Sequence, residues 1–119
     1  MFDFNEITKG NLIAFKVHGK IEVTDYDKLS ALLEKAEREN EGLKLLIEIG
    51  DIEGITGKAF LKDVATYFKH VRHVEKVAVV GDGDYHERTW TKIAKPFMKA
   101  DIQYFPRERK TDAEAWIVS

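Results

Sequence analysis

An α/β sandwich around a mainly parallel five-stranded sheet is the fold class that this sequence predicts, and three observations carry it. Short β-rich runs alternate with segments of helical periodicity, in the order β-β-α-β-α-β-α-β-α. Two of the runs, Leu43 to Ile49 and Lys76 to Val80, are almost unbroken in their hydrophobicity, as expected of strands buried on both faces. The third observation is size: 119 residues, 44% hydrophobic and 34% charged, suit one domain with a self-sufficient core.

The elements follow in order. Phe2 to Ile7 and Leu12 to His18 are strands joined by Thr8-Lys9-Gly10-Asn11, a turn-rich linker that suits a hairpin-like or antiparallel start. Thr24-Asp25 opens a helix to about Asn40, with Leu29, Leu32, Leu33 and Ala36 at helical spacing and Gly42 as its stop. After the strand Leu43 to Ile49 comes a loop with three glycines, Gly50 to Gly57, and Thr56-Gly57 caps a second helix over 58–71. That helix carries Phe60, Leu61, Val64, Tyr67 and Phe68 as its apolar side. Lys76 to Val80 ends at Gly81-Asp82-Gly83, a third helix runs from Tyr85 to about Met98, and Pro96 shortens its last turn. Asp101 to Phe105 is the last strand, stopped by Pro106, and Asp112 to Val118 a closing helix.

Helices gathered on one face would leave the other face of the sheet bare. With right-handed crossovers, that argument predicts strand order 1-3-2-4-5, the first helix on one face and the second and third on the other. It makes Lys16 and Glu48 neighbours and so predicts a sheltered ion pair between them.

Composition narrows function. Without cysteine there is no disulfide framework, zinc finger or thiol nucleophile. The longest apolar runs fall far short of the roughly 18 to 20 residues of a membrane span, and the start is acidic, unlike a secretory signal. A cytoplasmic protein, peripheral at most to a membrane, is expected. A net charge of -2 argues against nucleic acid as a partner, although the first sixty residues are net negative and the remainder net positive.

Three groups of residues stand out. At 100° per residue Arg88, Lys92, Lys95 and Lys99 share an arc of about 60°, with Trp90, Ile93 and Phe97 opposite. This is a basic amphipathic helix, suited either to an anionic membrane surface or to plain packing with solvated lysines. Phe60, Val64, Tyr67 and Phe68 on the second helix, with Trp90, Ile93 and Phe97 on the third, either line a cleft for an apolar molecule or form ordinary core. The predicted strand order reverses beside His18, so His18, Asp51, Asp82 and Asp84 are expected at the polar end of such a site. Asp82, Asp84, His86 and Glu87 match neither a calcium loop nor a zinc hydrolase motif, and helix capping explains their acids. No metal or cofactor is expected, and Lys16 with Glu48 reads as structural pairing and not general acid/base catalysis, because no nucleophile or third group accompanies them.

The motif order resembles the SpoIIAA-like family, small bacterial relatives of the STAS domain. The residues that carry the resemblance are Leu45-Leu46-Ile47-Glu48-Ile49, Lys76 to Asp82, Trp90 through Lys95-Pro96-Phe97, Ile102 to Phe105 and Ala113 to Trp116. The resemblance covers nearly the whole chain and implies a STAS-like (SpoIIAA-like) sandwich as a single domain over 1–119. It also implies a non-catalytic regulatory or ligand-binding module, similar to CRAL-TRIO lipid carriers, with an apolar or lipid-like ligand, a peripheral membrane surface or a regulatory protein as partner. STAS antagonists carry a phosphorylated Ser or Thr after the third strand, and here only Thr56 stands at the matching place. A phosphoswitch at Thr56 that gates a partner protein is the alternative reading. Exposed apolar edges of the third helix make a homodimer plausible.

Overall fold

The computed structural model describes residues 1–5, 8, 10–40, 42–54, 59–60, 74–81 and 101–119. Five strands form one sheet: β1 (Phe2–Phe4), β2 (Leu12–Gly19), β3 (Leu43–Ile52), β4 (Val74–Gly81) and β5 (Asp101–Pro106). Helix α1 spans Val23–Glu39, and a 3-10 turn at Arg107–Arg109 leads into α2, Lys110–Val118. The second and third helices expected from the sequence lie outside the described residues, apart from the helical pair 59–60.

The strands lie side by side in chain order, β1-β2-β3-β4-β5, with β1 antiparallel to β2 and the rest parallel. This corrects the expected order 1-3-2-4-5, which placed the third strand between the first two. Avoiding a bare second face does not require that order, since among the described residues α2 packs on that face. The hairpin start implied by the turn at Thr8–Asn11 does form. Its first strand is Phe2–Phe4, the Asn5 N–H still reaches the Ala14 carbonyl at 2.7 Å, and Thr8 bonds to the same residue. The Thr8 hydroxyl donates to the Ala14 carbonyl and accepts from the Ala14 N–H, both at 2.9 Å. β3 instead runs three residues past the expected Ile49. A register shift between Val17 and Gly19 lets Ile52 pair with Gly19, and Gly19 accommodates it with φ of 60°, a left-handed conformation that glycine adopts without steric cost.

Period-two alternation divides the strand side chains between two cores. On one face Ile13, Phe15, Val17, Leu45, Ile47, Val77 and Val79 pack with Leu29, Leu33 and Ala36 of α1. The Leu29, Leu33 and Ala36 stripe follows the helical repeat, and Asn40 closes the helix by donating from its side-chain amide to the Ala36 carbonyl at 3.0 Å. Phe60 is fully buried in this same core, its ring 6.0 Å from that of Phe2. The start of the expected second helix therefore lies on the face of α1 and not opposite it.

On the other face Leu12, Ala14, Leu46, Ala78, Val80 and Phe105 pack with Ala113 and Ile117 of α2. Trp116 caps this core against Phe105, with ring centroids 5.9 Å apart. Two lysines from the sheet hold the carboxyl end of α2. Lys76 Nζ donates to the carbonyls of Trp116 (3.4 Å) and Ser119 (3.0 Å) and stands 5.1 Å from the Trp116 ring, while Lys44 Nζ reaches the Ser119 carbonyl at 3.4 Å. Cations there complement the negative end of the helix dipole.

Asp25 is the one buried charged side chain among the described residues. Its carboxylate accepts from the N–H of Glu22 at the start of α1 (2.8 Å) and from the N–H of Phe2 in β1 (3.2 Å), tying helix to edge strand. Burial pushes the Asp25 carboxyl up, but these two hydrogen bonds and the nearby amino-terminal ammonium outweigh it and hold the group below the ordinary value of 3.8. A lowered folded-state value means that the contribution to stability is complete above 3.8 and is lost as pH falls through the folded-state value. Asp25→Asn is expected to cost about 1–3 kcal/mol at neutral pH. The variant should also lose less stability than the parent on acidification, as read from urea midpoints across the acid range.

Candidate functional site

One cross-strand row spans the whole sheet on the α2 side. In register it reads Asp3, Lys16, Glu48, Val80 and Phe105, one residue from each strand. The row is charged over β1, β2 and β3 and apolar over β4 and β5. α2 packs on the apolar end, so the charged end stays open. The result is a cleft of about 220 Å³ whose floor includes Ala14, Leu46 and Val80 and whose walls carry Asp3, Lys16, Glu48 and Lys110.

Glu48 stands at the boundary. Its side chain is only 15% exposed, and its Oε2 meets Nζ of Lys110, the first residue of α2, at 3.1 Å. This corrects the expected Lys16–Glu48 ion pair. The two are register neighbours, but the partner comes from the helix that covers the second face, which sequence spacing could not place. Lys16 is exposed, and Gly50 leaves room for its aliphatic stem: a Cβ on Gly50 would sit 3.2 Å from Lys16 Cε.

The carboxyl ends of the strands hold the remaining polar groups. His18 Nε2 and the Asp3 carboxylate lie 2.5 Å apart, both part exposed, an exchange between β2 and the edge strand. Arg107 donates from its guanidinium to the Ile49 carbonyl at 3.1 Å, crossing from the end of β5 to β3. Tyr104 donates its hydroxyl to the Gly81 carbonyl at 2.8 Å. Asp51 is exposed at the end of β3.

The grouping of His18 with Gly81 and its successors rested on the reversed strand order. β3 lies between β2 and β4, so the expected switch point beside His18 does not form. Val64, Tyr67, Phe68, Asp82, Asp84, Arg88, Trp90, Lys92, Ile93, Lys95, Phe97, Lys99 and Thr56 all lie outside the described residues. Among the described residues no group of three His, Asp or Glu side chains is arranged to hold a metal ion. Sequence reasoning missed Asp3 and Lys110. The signal for Asp3 was present, because Phe2-Asp3-Phe4 alternates and aligning the hairpin places Asp3 opposite Lys16.

The family model for SpoIIAA-like proteins matches residues 12–118. The chain belongs to the SpoIIAA-like family. A solved structure of an uncharacterized protein with a SpoIIAA-like fold from Shewanella loihica PV-4 is 28% identical, with a TM-score of 0.66 over 98% of this chain and 92% of that one. No curated protein matches the chain. Membership in the SpoIIAA-like family makes the chain a STAS-like module, with the charged cleft on the α2 side of its sheet.

The Glu48–Lys110 contact is partly sheltered, so its value is reduced by solvent but not abolished. A double-mutant cycle with Glu48→Gln and Lys110→Met is expected to show a coupling of about 1 kcal/mol by urea denaturation. Purely additive losses would mean that the pair does not help to fix the start of α2.

Proposed function

We propose that this SpoIIAA-like chain is a non-catalytic regulatory module that takes an apolar, lipid-like ligand or rests on an anionic membrane surface. The working elements are the segments that connect β3 to β4 and β4 to β5. The observation that carries the reading is the two-sided pattern of the second segment, with Arg88, Lys92, Lys95 and Lys99 on one arc and Trp90, Ile93 and Phe97 on the other. The architecture supports it. α1 and Phe60 share one face of the sheet, and at its β4–β5 side that face also carries Val79, Ile102 and Tyr104. The proposed mechanism is a shift between a closed state and an open one that exposes Trp90 and Phe97 to ligand or membrane. No helix among the described residues is long and apolar enough to cross a membrane, so contact by insertion of a helix face is the form proposed. The protein acts in the cytoplasm, with a regulatory protein as the receiver of the signal.

Sedimentation with vesicles rich in phosphatidylserine tests the reading. Replacing Arg88, Lys92, Lys95 and Lys99 together by Gln is expected to abolish binding while the circular dichroism spectrum stays that of the parent. Each basic residue near such a surface contributes on the order of 1 kcal/mol, so the loss should be large and steeply salt-dependent. Unchanged sedimentation of the quadruple variant contradicts the membrane reading.

A further inference from the structure

The cleft beside α2 has unspent binding capacity of two opposite kinds. Glu48 spends Oε2 on Lys110, and its other oxygen, Oε1, accepts no hydrogen bond among the described residues, although the side chain is only 15% exposed. A carboxylate offers about four acceptor sites, so Oε1 can take a donor from the cleft. Lys16, next to Glu48 in register, has no ion-pair partner among the described residues. Asp3, its neighbour on the other side, engages His18 instead. An acceptor and a cation therefore stand at register-paired positions of adjacent strands, both lining the cleft.

We propose that this cleft binds a small zwitterion of the α-amino-acid class. The ligand ammonium donates to Glu48 Oε1, its carboxylate meets Lys16 Nζ, and a short apolar side chain lies over Ala14, Leu46 and Val80. Charge selects this class over its competitors. A lone anion meets Lys16 but also the fields of Asp3 and Glu48, and leaves Glu48 Oε1 without a donor. A lone cation is repelled by Lys16 and Lys110 and leaves Lys16 unspent. Asp3, Lys16, Glu48 and Lys110 sum to no net charge, and a ligand whose ammonium and carboxylate are borne on one carbon meets both groups at once. Size agrees: about 220 Å³ is the space of roughly seven waters, enough for a free amino acid and too little for an acyl chain. The site lies on the face opposite α1, so it stands independently of the membrane reading.

The test is amide-shift titration of the full chain with L-alanine, L-valine and L-leucine, and with two single-charge analogues of valine, isovalerate and isobutylamine. At least one amino acid is expected to shift the amides of Ala14, Lys16, Glu48 and Lys110 saturably, with each analogue at least tenfold weaker than valine. Lys16→Met, a change at an exposed position, is expected to remove the response while leaving the other amide shifts in place. Isovalerate binding as well as valine would make this an anion site and overturn the proposal. Equal binding of isobutylamine, an undiminished response in Lys16→Met, or no saturable shift with any of the three amino acids would overturn it too.

Discussion

The burial of β3 and β4 on both faces is the constraint on which the rest of the structure depends. Leu45, Ile47, Val77 and Val79 point to one side and Leu46, Ala78 and Val80 to the other, and all are buried. Apolar burial stabilises by about 25 cal/mol per Å², so neither side can be left to water. One cover is α1, pinned at its start by Asp25 and lying over the β2 side of its face. The other is α2, held in the core by Ala113 and Ile117 and at its carboxyl end by Lys44 and Lys76. Among the described residues α2 is the helix that packs on the second face, over β3, β4 and β5, while each parallel strand is added beside the last.

That arrangement has a consequence for chemistry. α2 is nine residues long, too short to shield the full width of a five-stranded sheet, and it lies over β3, β4 and β5. Where its cover stops, the side chains change from apolar to charged along a single register row. Glu48 and Lys110 mark the boundary, and the cleft beyond them follows from a short helix on a wide sheet. The STAS-like module thus carries a polar cleft beside α2 and, on the other face, a core that α1 shares with Phe60.

Much of this was legible in the sequence. Leu43 to Ile49 and Lys76 to Val80 announced buried strands because unbroken hydrophobicity has few other homes in a short run, and the Leu29, Leu33 and Ala36 spacing announced α1. The SpoIIAA-like motif order pointed to the family. Strand order was not legible, because it depends on which helix covers the second face, and the nine residues of α2 carry little pattern to say so. The same gap hid the site: Glu48 read as a partner for Lys16 while Lys110 was a loop residue in the sequence reading, two positions before the expected helix. Asp25 was read only as a helix opener, since its bond to the Phe2 N–H joins residues far apart in the chain. Where tertiary contact decides, local pattern is silent.

The central claim is that α2 and the two interior strands form one cooperative unit. Native-state amide hydrogen exchange measures this residue by residue. The account predicts that amides of β3 over Leu45–Ile49, of β4 over Val77–Val80 and in the middle of α2 exchange only through the same global opening, with equal free energies and equal denaturant dependence. If the α2 amides instead exchange through a local opening several kcal/mol below that of the strands, while β3 and β4 keep full protection, the second face does not need its helix and the account is wrong.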